Sequence, residues 1–154
     1  MRFFKPTEDA ERPAEATEKP LNDSRTDREE NQVSNVQESL SRVMDVVDGA
    51  IGVALVDFDG GLTLGTAGGT ERLDLEMAGA GNLEVVRAMM RVMDQLGLED
   101  EIEDILVTLG EQYHLIRPLE KHSSMFLYLA IDRGQGNLGL SRHQLRAIEA
   151  ELVI

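Results

Sequence analysis

From Val36 onward the chain moves between two hydrophobic periods. Val36, Leu40, Val43, Met44 and Val47 recur at helical steps and predict a helix over 34–47 with one apolar stripe. Ser34 with Gln37 matches a capping box at its start, and Asp48-Gly49 ends it. Ile51 to Phe58 then alternates as a strand, with Ile51, Val53 and Leu55 on one side and Ala54, Val56 and Phe58 on the other. Apolar residues on both faces predict a central strand covered on both sides. Asp59-Gly60-Gly61 supplies a tight turn, Leu62 to Gly65 returns as a short strand, and Gly68-Gly69 breaks it. Beyond the next helix, Glu99 to Asp104 is an acidic connection. Strands follow at 105–109, 112–119 and 125–131, with turns at Gly110-Glu111 and Glu120-Lys121-His122. The last of these strands is again apolar on both faces. After a loop at Arg133 to Asn137, Ser141 with Gln144 matches a second capping box, and Leu145, Ile148 and Leu152 give a final helix with one stripe.

The helix between Asp74 and Leu96 carries two apolar stripes, not one. The first is Leu75, Gly79, Asn82 with Leu83, Val86, Met89 with Met90, Met93 and Leu96. The second is Ala78, Gly81, Val85, Ala88 and Val92, at alternating steps of three and four. A surface helix of a monomer needs only one such stripe. The first stripe is expected to pack on the helix's own sheet, with Met89, Met90 and Met93 filling the core, while Met77 lies outside both stripes. The second, of small residues at heptad spacing, suits another helix at close approach. No other helix here has a spare face to match it, so the expected partner is the same helix of a second copy.

The order helix, two strands, helix, three strands, helix predicts an α/β fold. It is a three-layer α-β-α sandwich around a five-stranded antiparallel sheet. The strand at 105–109 is expected at a sheet edge, short, aliphatic and lightly charged. An open apolar edge is a liability unless something pairs with it. Pairing with its counterpart in a second subunit would set the two-striped helices side by side. The expected dimer interface is therefore Ala78, Gly81, Val85, Ala88 and Val92 on the helix, with Ile105, Val107 and Leu109 on the strand.

Composition narrows the function classes. The 154 residues include 29 acidic and 15 basic side chains, a net charge of -14. Such a surface repels nucleic acid and anionic membranes and favours basic partners. No Cys is present, which removes disulfides, thiolate metal sites and thiol nucleophiles. No apolar run approaches the roughly 18 residues that span a bilayer, and charges follow Arg2 and Lys5 where a signal peptide would have its apolar core. A cytoplasmic protein is expected. Residues 1–32, with Phe3, Phe4, Pro6, Pro13, Pro20 and many charges, read as a disordered charged tail, and 33–154 as the folded domain. The tail holds 6 basic and 9 acidic residues and the domain 9 and 20, so the acidity belongs mainly to the domain.

Candidate chemistry is sparse. Gly134-Gln135-Gly136-Asn137-Leu138-Gly139 matches G-x-G-x-x-G between a strand and a helix. Only 15 residues follow Gly139, too few for a helix, a returning parallel strand and an acidic ribose ligand. A turn that uses glycine freedom explains the run better. His114, His122 and His143 show no metal-ligand spacing, and Ser123 and Ser124 beside His122 do not make a triad. Asp57 and Asp59 flank a hairpin, where Asp supports the turn. The Glu99–Asp104 run reads as a solvated connection, of interest only if it lies beside the dimer platform. The residues imply no catalytic group, cofactor or metal.

The element order, with Asp48 to Asp57, then Gly60-Gly61-Leu62-Thr63-Leu64, and Asn137-Leu138-Gly139-Leu140 leading into the last helix, resembles the roadblock (dynein light-chain) family over about 38–152. The resemblance implies a profilin-like fold and a homodimer, or a heterodimer with a paralogue, joined sheet edge to sheet edge. It also implies a platform of paired central helices that binds Ras-like small GTPases. In bacteria such proteins act as activating or scaffold partners. The expected function is thus a non-enzymatic, homodimeric regulator of a Ras-like small GTPase, with Glu84, Arg87, Arg91 and Asp94 as GTPase-facing candidates. Arg87, Arg91, Arg117 and Arg133 could each be proposed as an arginine supplied in trans. The resemblance instead suggests that the GTPase is reshaped, while Arg87 and Arg91 are expected to pair with Glu84 and Asp94. The alternatives are a dimeric scaffold without effect on nucleotide turnover, and an acidic secretion-type chaperone.

Overall fold

The computed structural model describes residues 24–154, with side chains from Asn35 on. Eight elements follow one another: α1 (Ser24–Val46), β1 (Ala50–Asp57), β2 (Thr63–Gly68), α2 (Leu75–Leu96), β3 (Ile105–Thr108), β4 (Gln112–Pro118), β5 (Met125–Asp132) and α3 (Leu138–Glu151). The strands form one antiparallel sheet in the order β2-β1-β5-β4-β3. The two strands that are apolar on both faces, β1 and β5, lie inside it, and β3 lies at an edge.

Side-chain alternation along the inner strands divides the core in two. Val53 and Leu55 of β1, Leu115 of β4 and Leu127, Leu129 and Ile131 of β5 point to one face. There they meet Val36, Leu40, Val43 and Val47 of α1 and Leu145, Ile148 and Leu152 of α3. Ala54, Val56, Ile116, Phe126, Tyr128 and Ala130 point to the other face and meet Leu75, Leu83 and Val86 of α2. The result is three layers, with α1 and α3 below the sheet and α2 above it. Each large aliphatic side chain so enclosed contributes about 1.5–3 kcal/mol of transfer free energy.

Four local expectations are corrected. Ile51 packs with the α2 layer, not with Val53 and Leu55. A register irregularity between Ala50 and Gly52 in the β1–β5 pairing reverses the alternation there, as a bulge does. The Ser34 capping box is not used, because α1 already runs from Ser24 and Gln37 instead donates to the Thr66 carbonyl at 3.0 Å. The Ser141 box is not used either. Asn137 caps α3 by accepting from the Leu140 N–H at 3.0 Å, and the Ser141 hydroxyl is buried, donating to the Asn137 carbonyl. The second strand runs Thr63–Gly68, further than Leu62 to Gly65. Of the charged N-terminal stretch, residues 1–23 lie outside the described residues.

Candidate functional site

The ends of α2 are set by the residues that bound its pattern. Asp74 caps the N-terminus, its carboxylate accepting from the Glu76 and Met77 N–H groups at 3.0 and 3.1 Å. Gly97 takes the left-handed conformation that closes the C-terminus, with φ 65°. Between them the helix descends onto the sheet through its first stripe. Leu75, Gly79, Leu83 and Val86 are buried. At Gly79 a side chain would have its Cβ 2.8 Å from Val56 Cγ2, so glycine is what lets α2 seat on β1.

Burial stops at Val86. One residue on, the Arg87 guanidinium donates to the Phe58 carbonyl at 2.8 Å, and Phe58 lies just past the end of β1. From there α2 overhangs the sheet. The expectation that Met89, Met90 and Met93 fill the core is corrected accordingly: Met89 and Met90 are exposed and Met93 half-buried. The helical period shows which side of a helix is apolar but not where the sheet beneath it ends. Met77, outside both stripes, is exposed.

The second stripe faces away from the sheet. Ala78 is half-buried and packs against the α2 layer of the core, so it belongs partly to the subunit's own interior. Gly81, Val85, Ala88 and Val92 are exposed, with Val85 at 38% and Val92 at 42%. A Cβ at Gly81 would meet nothing within 4 Å. At the sheet edge Ile105 and Val107 are half-buried, Leu109 is exposed just beyond β3, and among the described residues no strand pairs with the outer side of β3. Among the described residues, the helix face is thus uncovered and the sheet edge open.

The four charged candidates on α2 differ in their surroundings. Arg87 is half-buried, reaching Glu84 at 3.3 Å on its own helix as well as the Phe58 carbonyl, which ties α2 to the β1–β2 hairpin. Glu84, Arg91 and Asp94 are exposed, and no ion pair joins Arg91 to Asp94. The other arginines hold the fold. Arg117 is buried, its Nε donating to the Glu149 carboxylate of α3, which also accepts from the Glu120 N–H at 2.8 Å. Arg133 donates to the Leu109 carbonyl at 2.7 Å and lies over the Tyr113 ring at 5.1 Å, bracing the β3–β4 hairpin.

The acidic connection divides in two. Asp104 takes a bidentate pair from Arg142 at 2.9 and 3.0 Å, fixing the start of β3 to α3. Asp100 and Glu101 instead border a cavity of about 440 Å³ beneath the overhanging end of α2, a feature the sequence pattern did not single out. In the glycine-rich loop, Asp132 accepts from the Gly134 N–H at 2.7 Å, and a Cβ at Gly136 would lie 2.4 Å from Ile131 Cγ2, so close packing accounts for that run. His114 lies on the α2 side of β4 between Tyr128 and Gln112, with its nitrogens 3.0 Å from the Tyr128 hydroxyl and 2.8 Å from Gln112 Oε1. Burial lowers its pKa and pushes that of Tyr128 up to about 12.

No family model and no curated protein matches the chain. Solved structures do. MglB of Myxococcus xanthus aligns with TM-score 0.70 at 21% identity, over 79% of this chain and 86% of that one. A roadblock/LC7 domain from Streptomyces avermitilis aligns with TM-score 0.65 at 14% identity, over 75% and 92%. An MglB in a tetrameric arrangement aligns with TM-score 0.60 at 17% identity, over 79% and 92%. With the element order and sheet topology above, these likenesses lead to one conclusion: the chain folds as a roadblock/LC7 domain.

Proposed function

We propose that this protein is a non-enzymatic, homodimeric regulator of a Ras-like small GTPase. The observation that carries the reading is the outer face of α2. Gly81, Val85, Ala88 and Val92 form an apolar stripe that the described residues leave uncovered. An apolar stripe of this kind on a helix marks a protein interface. The open edge of β3 beside Ile105, Val107 and Leu109 offers a second contact of the same two-fold arrangement. A partner GTPase would meet the platform formed by the paired helices. Exposed Glu84, Arg91 and Asp94 are its best candidates for contact, and Arg87 supports the platform through the hairpin. The MglB likenesses support a regulator built on this fold.

Light scattering of the chain mixed with each Ras-like small GTPase of its own cell, loaded with a GTP analogue or with GDP, tests the reading. Binding confined to the GTP-like form is expected. Equal binding to both forms would move the function to a scaffold, and no binding to either would reject the GTPase partner.

A further inference from the structure

The cavity under the end of α2 combines an apolar floor with an acidic rim. Met90 and Met93 of α2 and Leu98 beyond its cap supply an apolar floor, and Asp94, Asp100, Glu101 and Glu120 supply acid around it. No basic side chain lines it among the described residues. Its volume of about 440 Å³ falls within the range of about 300–1,000 Å³ that holds compact apolar groups. An occupant that fits would bring one or two bulky apolar side chains flanked by positive charge. Methionine suits such a floor, because its thioether adapts in shape and packs well on aromatic rings.

The chain contains one such segment. Arg2-Phe3-Phe4-Lys5 places two of the four phenylalanines between two cations, outside the described residues. Chain direction favours its delivery to this end of the molecule. Met44 of α1 lies against Gly68, which pairs with Gly52 near the start of β1. Val36 and Leu40 lie against Gly65, which pairs with Leu55 further along. Going back toward Ser24, α1 therefore heads for the Phe58 end of the sheet, where the cavity opens. Residues 6–23, which separate Lys5 from α1, can span up to about 60 Å when extended.

We infer that Arg2-Phe3-Phe4-Lys5 docks in cis into the acid-rimmed cavity at the C-terminal end of α2, with the phenylalanines on Met90 and Met93. This is independent of the GTPase reading. The test is NMR of the full chain labelled at the methionine methyls. Exchanging Phe3→Ala with Phe4→Ala is expected to shift the Met90 and Met93 methyl resonances by more than a line width, because ring stacking is lost. Met44, on the opposite face of the sheet, should stay fixed and so reports an intact fold. Arg2→Glu with Lys5→Glu should produce the same shifts, and adding Asp100→Lys with Glu101→Lys should restore the original positions. Unchanged Met90 and Met93 resonances in the Phe3→Ala, Phe4→Ala chain would overturn the proposal. Shifts that appear in the unaltered chain on dilution would also overturn it, since the occupant would then come from a second copy.

Discussion

Two glycines on α2, Gly79 and Gly81, should answer the same substitution in opposite ways. Alanine at either position gains up to about 1 kcal/mol of helix propensity over glycine. At Gly81 a new Cβ meets nothing within 4 Å, so the subunit keeps the whole gain. At Gly79 it would lie 2.8 Å from Val56 Cγ2. Val56 is fully buried and β-branched, so its side chain cannot turn aside, and α2 must lift from β1. Overpacking of this kind costs about 1–3 kcal/mol. Gly79→Ala is therefore expected to lower stability by up to about 2 kcal/mol net, and Gly81→Ala to raise that of the single subunit by up to about 1 kcal/mol. Denaturant unfolding of both variants, at a concentration low enough to keep the chain monomeric, measures the difference. A Gly79→Ala chain as stable as Gly81→Ala would refute the placement of α2 on the sheet.

Other consequences follow from the same geometry. Arg117→Leu should cost about 3–5 kcal/mol, because it strands the buried Glu149 carboxylate; Arg117→Leu with Glu149→Leu should recover much of that loss in the same unfolding assay. Burial lowers the pKa of His114 in the fold, so there is a pH range in which it binds less proton than the unfolded chain's histidine. Stability should then fall as pH drops through about 6.5, and His114→Gln should flatten that part of the stability–pH curve. Tyr128, with its pKa pushed up to about 12, gives the mirror case: stability should decline as pH rises from about 10 toward 12, a decline that Tyr128→Phe removes.

Much of this architecture was legible in the sequence because its signals are periodic. The double stripe of α2, the two-faced strands β1 and β5 and the position of β3 at an edge each rest on several residues in agreement. Single local motifs fared worse. The Ser34 and Ser141 capping boxes have the right letters, but the helices start earlier, where Asn137 caps α3 and α1 continues up to Ser24. The side taken by Ile51 depends on one register irregularity, and no alternation rule sees that. The exposed methionines depend on how far α2 outruns the sheet, a matter of relative lengths. The acid-rimmed cavity joins the end of α2, the acidic connection and the β4–β5 turn, so no stretch of sequence displays it. The charged candidates were placed by helical face alone, and only the structure separates Arg87, tied to the hairpin, from exposed Arg91 and Asp94.

In the dimer we propose, the outer face of α2 joins two copies of the chain. Sedimentation velocity of the unaltered protein beside Ala88→Glu tests it most directly, because Ala88 is exposed in the single subunit and the change leaves the core untouched. A dimer that becomes a folded monomer on burying an unpaired charge in the helix seam is the expected result. An Ala88→Glu chain that still sediments as a dimer would contradict the seam, and an unaltered chain that is monomeric at every concentration would contradict the platform built on it.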